Sequence, residues 1–95
     1  MRYVKIKIHG KVQGVGMRYF IRKLALSYKV FGYAKNLPDK TVESLLIGDP
    51  LVIDNLIEEI KKGPSLAKVT KIDILEDRQI DTQEFEKIKR MLGYN

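Results

Sequence analysis

Gln13-Gly14-Val15-Gly16-Met17-Arg18 places two glycines and an arginine where an extended segment gives way to one of helical spacing. Gly14 and Gly16 open backbone conformations closed to other residues and let successive amide N–H groups turn to one side as a concave set of donors. A helix starting near Met17 adds unpaired N–H groups and a partial positive charge, which suits a phosphate-sized anion. A glycine turn that only reverses the chain accounts for the same residues. Neither the Gly-Lys-Ser/Thr ending of a nucleotide loop nor the third glycine of a dinucleotide fingerprint is present. Arg18 shifts the balance. A cation in the first turn opposes the helix dipole by roughly 0.3 to 1 kcal/mol, a cost that an arriving anion would offset. Its guanidinium can also grip two phosphate oxygens at once, as lysine cannot. Extension of Arg18 into solvent is the competing reading, and Arg22, one turn on, could lie near the same site but is better explained as part of a solvated helix face.

The residues that are missing narrow the chemistry further. No Asp, Glu or Cys precedes Asp39, and the one histidine, His9, shares a strand face with lysines, so no carboxylate stands near the loop to hold magnesium or act as a base. Zero cysteines exclude disulfides, thiolate chemistry and cysteine-based zinc sites, and a single histidine makes no metal cluster. The expected site has no metal and no cofactor. Phosphate chemistry that needs only positioning and charge stabilisation remains, above all with a stable leaving group such as a carboxylate of pKa near ~4. An acyl phosphate meets that requirement.

These residues need elements to hold them. Val4, Ile6, Ile8 and Val12 fall on one face of an extended run and Lys5, Lys7, His9 and Lys11 on the other, the period of a strand with one buried face. Met17, Phe20, Ile21, Leu24, Ala25 and Tyr28 then recur at helical spacing and predict a helix over 17–29. Val30 to Leu37 and Val42 to Ile47 flank the turn residues Pro38-Asp39-Lys40-Thr41 and read as a hairpin. Asp49-Pro50 offers an N-cap and a first-turn proline to a helix whose stripe is Ile53, Leu56, Ile57 and Ile60, closed by Lys61, Lys62 and Gly63. Ala67 to Leu75 alternates as a strand, with Ile72 and Ile74 on the face of Thr70, and Phe85 to Ile88 is read as an optional short fifth strand. The order β-α-β-β-α-β is the split β-α-β pattern, an α+β fold in which two helices cover one face of an antiparallel sheet.

At 95 residues the chain is long enough for one core and too short for two. We expect residues 1–90 to form the domain and 91–95 a short tail, from which Met91, Leu92 and Tyr94 could pack on a neighbouring surface. No apolar run approaches the ~18 residues of a membrane span, and the alternating start Met1-Arg2-Tyr3-Val4-Lys5-Ile6 is not a signal peptide, so the expected location is cytoplasmic. Residues 1–40 hold ten basic side chains and one acid, residues 41–95 eight basic and eleven acidic. The first part is a cation that raises local anion concentration.

Ile8-His9-Gly10-Lys11-Val12-Gln13-Gly14-Val15-Gly16-Met17-Arg18 matches the first signature of acylphosphatases throughout, and Gly32-Tyr33-Ala34-Lys35-Asn36 followed by Val42 and Gly48 matches the second. The chain resembles the acylphosphatase family over essentially its whole length. That resemblance implies a ferredoxin-like sandwich and hydrolysis of acyl phosphates to a carboxylate and inorganic phosphate without a metal. Carried over residue by residue, it makes Arg18 the group that binds the phosphoryl oxygens together with the backbone of Gly14, Val15, Gly16, Met17 and Arg18, and Asn36 the group that orients the attacking water. Phosphate would be both product and competitor. By its position alone, two residues before Pro38-Asp39, Asn36 is equally a turn element. The chain departs from the second signature in carrying Lys40 where the family has glycine; a positive φ there would cost on the order of 1 kcal/mol.

Three rivals share parts of this pattern. RNA-binding RRM domains have the same element order, and Tyr3, Lys5, Lys7 and Lys11 lie on one strand face, but Thr41 to Ile47 has no aromatic on which a base could stack. A small-ligand regulatory domain without turnover would not need Arg18 and Asn36 together. The N-terminal domain of hydrogenase-maturation carbamoyltransferases is also similar, but those chains run on into zinc-binding segments. A free-standing monomeric enzyme acting on a small acyl phosphate, with no membrane and no specific nucleic-acid partner, is the expectation.

Overall fold

The alternation along residues 4–12 becomes the centre of the molecule. In the computed structural model, which describes residues 1–93, strand β1 (Arg2–Lys11) lies inside a four-stranded antiparallel sheet. Its neighbours are β3 (Val42–Gly48) and β4 (Lys68–Gln79), and β2 (Phe31–Asn36) pairs with β3 at the edge, giving the order β2-β3-β1-β4. Helices α1 (Met17–Ser27) and α2 (Pro50–Lys62) cover one face and bury Val4, Ile6, Ile8, Met17, Ile21, Leu46, Ile53, Leu56 and Ile60. Each such side chain, taken wholly out of water, contributes about 1.5–3 kcal/mol. The one polar side chain fully buried beneath the helices, Ser44, donates its hydroxyl to the Tyr33 carbonyl at 2.9 Å. The expected α+β order of elements and the two helices on one face are found.

Helix α1 stops two residues short of its expected end. Lys29 adopts a left-handed φ of 56°, its N–H bonds to the Leu26 carbonyl and the Val30 N–H reaches back to the Ala25 carbonyl at 2.8 Å. This is a Schellman stop with lysine where glycine is usual. The hairpin turn also carries a lysine in that region, Lys40 at φ 73°, so the absent glycine is felt in the backbone.

Two expectations are corrected at the C-terminal end. Strand β4 continues past Leu75 to Gln79, because its pairing with β1 slips at two bulges, where Thr70 and Leu75 fall out of the ladder and reverse the alternation. Thr70 therefore does not extend the Ile72 face. Phe85 to Ile88 is not a strand but the middle of a third helix, α3 (Thr82–Met91), started by the Asp81 carboxylate accepting from the Glu84 N–H at 2.8 Å. Phe85 and Ile88, three apart, pack with Tyr3, Leu45, Ile47 and Ile80 on the sheet face away from α1 and α2. Met91 ends α3 with its side chain exposed, and Tyr94, expected to be able to pack on a neighbouring surface, lies outside the described residues.

Candidate active site

Between β1 and α1 the chain makes the expected loop. Gly14 (φ 73°) and Gly16 (φ 81°) are both left-handed, and a Cβ at either position would meet no neighbouring atom within 4 Å. Backbone conformation, not crowding, therefore favours glycine there. Gly16 occupies the N-cap position of α1, where no side chain caps the helix and no acid stands in the first turn. The first helical bond runs from Phe20 N–H to the Gly16 carbonyl at 3.0 Å. Among the described residues, none of the amides from Gly14 to Tyr19 has an acceptor. Successive free donors at a helix start form an anion-binding concavity.

Beside this stretch lies a cleft of about 270 Å³ lined by Val12, Gly14, Gly16, Met17, Arg18, Tyr19, Arg22 and Asn36. Arg18 is exposed and, like Arg22, enters no ion pair among the described residues, so both guanidinium groups retain their hydrogen-bonding capacity. Met17 is buried in the core and offers the cleft its backbone, while Val15 packs its side chain inward and is not part of the lining. Asn36 reaches the cleft from the end of the edge strand, some twenty residues downstream of the loop in sequence.

The hairpin beyond Asn36 closes without its side chain. Leu37 N–H bonds to the Thr41 carbonyl at 2.9 Å, Lys40 N–H to the Leu37 carbonyl at 3.1 Å, and Asp39 accepts from the Thr41 N–H at 3.1 Å. Lys7, 2.7 Å from Asp39, and Thr41 hold that carboxyl well below the usual carboxylate range. Asp39, not Asn36, is the turn-former. The carboxamide of Asn36 makes no hydrogen bond among the described residues and is left available to the cleft.

Gln13 joins the two halves of the site. Its side-chain amide donates one N–H to the Leu37 carbonyl at 2.9 Å and the other to the Thr41 carbonyl at 2.8 Å, clamping the glycine loop to the residue beside Asn36. Sequence reasoning gave Gln13 no role, since its partners are 24 and 28 residues away and carry no side-chain signature. Arg22, read as a solvated helix face, also lines the cleft; its spacing four residues after Arg18 was the available signal. Among the described residues no carboxylate lines the cleft, and His9 lies across the sheet with its Nε2 2.8 Å from Asp73.

Comparison with known proteins adds three findings to this geometry. The family model described as acylphosphatase matches residues 4–87. An acylphosphatase of Acaryochloris marina is 43% identical over 83 residues, which cover 87% of this chain and 89% of that protein. The crystal structure of acylphosphatase from Bacillus subtilis superposes with a TM-score of 0.81 at 36% identity, covering 86% of this chain and 91% of that one. A full-length HypF structure is similar over 85% of this chain, with a TM-score of 0.75 and 29% identity, but the match takes in only 11% of HypF.

Proposed function

Because the chain belongs to the acylphosphatase family, enzymes that hydrolyse acyl phosphates, we propose that the cleft between the glycine loop and Asn36 is where it performs this reaction, and that it does so without a metal. One observation carries the reading: Gly14, Gly16, Met17, Arg18 and Tyr19, whose amides have no acceptor among the described residues, line one cleft together with the unpaired side chains of Arg18 and Asn36. Three chemically different groups that are exposed and bonded to nothing else in the protein stand ready for a ligand that satisfies them together.

The steps follow from the groups. The amides of Gly14, Val15, Gly16, Met17 and Arg18 and the Arg18 guanidinium bind the phosphoryl oxygens and stabilise charge as the phosphoryl group transfers. Asn36 holds a water opposite the leaving oxygen. The water oxygen forms the new bond to phosphorus as the bond between phosphorus and the acyl oxygen breaks, and the electron pair of that bond leaves on the carboxylate. A phosphoryl oxygen of the substrate takes the water's proton, since the cleft offers no base. A carboxylate of pKa near ~4 departs without protonation, which makes a general acid unnecessary. Arginines and neutral groups form a lining that attracts phosphate and gives a divalent cation no anionic ligand.

The same reading takes the chain as a cytoplasmic monomer acting on a small molecule; no helix among the described residues is long and apolar enough to cross a membrane. A nucleic-acid role has little support on the basic strand face. Lys7 pairs with Asp39 and the neighbouring His9 with Asp73, and Tyr3 is buried under the α3 side with the Arg78 guanidinium over its ring, which leaves Lys5 and Lys11 without an ion pair among the described residues and no exposed aromatic beside them.

Hydrolysis of acetyl phosphate tests the reading. Turnover is expected to survive EDTA, to fall with added inorganic phosphate as a competitive inhibitor, and to be absent for phosphate monoesters, whose alkoxide needs an acid. Loss of turnover in EDTA that magnesium restores would overturn the metal-free mechanism, and noncompetitive inhibition would move the anion site elsewhere.

A further inference from the structure

Helix α1 and strand β2 pass each other in opposite directions, so the start of the helix lies beside the end of the strand. Arg18 and Asn36 meet there in the phosphoryl cleft. Further along α1 and at the start of β2 lies a second depression of about 270 Å³, lined by Arg22, Ala25, Leu26, Val30, Phe31 and Gly32, and the two together make a groove between helix and strand. Arg22 lines both.

Arg18, Arg22 and Leu26 succeed one another one turn apart on a single helix stripe. On the strand, Ala34 packs toward the helices, and by alternation Gly32 and Asn36 share its face. The groove therefore changes character along its length, from two guanidinium groups to an apolar end, floored by small residues. Leu26 is 81% exposed at that end. The core does not use it, and no carboxylate lines either depression.

We propose that this second depression is the subsite for the acyl group, and that the chain takes acyl phosphates bearing an extended apolar chain. The proposal rests on the reading of the glycine-loop cleft as the phosphoryl site. With phosphorus held at Arg18 and the loop, the acyl oxygen points along the groove toward Arg22, where a guanidinium meets the charge that grows on the departing carboxylate. The hydrocarbon tail then runs on over Leu26 and Val30. Arg18 and Leu26 are separated by about 12 Å along the helix at its rise per residue. An extended chain of about eight carbons, with bonds of about 1.5 Å, covers most of that span. Acetyl phosphate would leave the apolar end uncovered.

Non-hydrolysable acyl phosphonates separate binding from turnover. Titration calorimetry with acetylphosphonate and octanoylphosphonate, below the micellar range, is expected to show the longer ligand at least about tenfold tighter, with inorganic phosphate displacing both. Leu26→Gln should cut that octanoyl-to-acetyl ratio about threefold, because the lost contact amounts to one or two methylenes. Leu51→Gln is the control, since Leu51 is 75% exposed on α2 and lines neither depression. Equal affinity of the two phosphonates, or a ratio untouched by Leu26→Gln or lowered equally by Leu51→Gln, overturns the subsite. Hydrolysis of acetyl phosphate alongside such a result would leave the activity standing. Failure of phosphate to displace acetylphosphonate overturns the phosphoryl site, and the acyl subsite with it.

Discussion

Helices α1 and α2 cover the same face of the sheet and begin in opposite ways. At the start of α2, Asp49 accepts from the Leu51 and Val52 N–H groups at 2.9 and 3.3 Å, Pro50 takes a position that needs no donor, and Lys61 and Lys62 complement the dipole at the far end. At the start of α1 the cap is a left-handed glycine, the first turn holds Arg18 instead of an acid, and no basic residue stands in the last turn. The N-cap, the first-turn proline and the closing lysines of α2 have no counterpart in α1. Both helices are needed by the core, since Met17 and Ile21 are as buried as Ile53 and Leu56. The difference is therefore not one of structural importance: α2 satisfies its own N-terminus, whereas α1 leaves its N-terminus uncapped, which is the feature the proposed phosphoryl site draws on.

Removing the group that exploits the unsatisfied end should have the largest effect. Arg18→Ala is expected to lower kcat/KM by about 10³-fold, on the order of 4 kcal/mol, and to weaken competitive inhibition by phosphate, because the proposed role has the guanidinium contact the phosphoryl group in ground and transition states alike. Arg18→Lys should rescue poorly, a point charge being no substitute for a two-pronged donor. The thermal midpoint without phosphate should stay level or rise, since a cation has left the positive end of a dipole. A fall in midpoint with kinetics intact would break the comparison, making Arg18 a structural residue like those of α2.

Asn36→Ala should act on the other partner of the transfer. A loss in kcat of about 10²-fold with the phosphate inhibition constant nearly unchanged is the signature of a group that touches water and not phosphate. Because Asp39 and the Leu37–Thr41 bonds close the hairpin without the Asn36 side chain, circular dichroism and midpoint should match the parent. A midpoint several degrees lower would return Asn36 to the role of turn-former.

How much of this was readable beforehand depended on how local the signal was. The glycine loop, Arg18 and the capping of α2 lie within a few consecutive residues, and the structure has them where spacing put them. The clamp made by Gln13 was unreadable, since it acts on backbone carbonyls that any residue at 37 and 41 would supply. The end of β4 was lost for a different reason: two bulges reverse its alternation, so the pattern itself ends before the strand does. Helix α3 was legible and misread. Asp81 with Glu84 three residues on is a helix-start signature, and Phe85 with Ile88 is a helical spacing, yet a short apolar run between polar residues suits either structure.

Helix α2 supplies the converse test. Asp49→Ala removes the acceptor for two first-turn amides and should cost about 0.5 to 2 kcal/mol in denaturant unfolding, with turnover unchanged because the cap lies outside the cleft. Arg18→Ala and Asp49→Ala would then divide cleanly, one losing activity and the other stability. An activity loss in Asp49→Ala beyond the unfolded fraction would mean that the two helix starts are coupled through the core they share.

Lys40 sets the limit of the argument that a broken local rule marks a functional group. Like Arg18 it stands where its neighbours would prefer another residue, since its φ of 73° is left-handed and the side chain carries a Cβ. Unlike Arg18 it lines no cleft, and the turn around it is already closed by Asp39 and the Leu37 carbonyl. Its strain is thus a cost that nothing at the site recovers. Lys40→Gly should relieve that strain while adding freedom to the unfolded chain, and the two effects oppose each other, so a net gain of no more than about 1 kcal/mol is expected. Turnover should stay within about twofold, since Gln13 holds the hairpin through carbonyls that the substitution leaves in place. A gain in midpoint with kinetics unmoved would separate strain carried at a turn from charge placed in a cleft. A fall in turnover would tie Lys40 to the site through the clamp, and an exposed lysine would then be as much a part of the machinery as the arginine at the helix start.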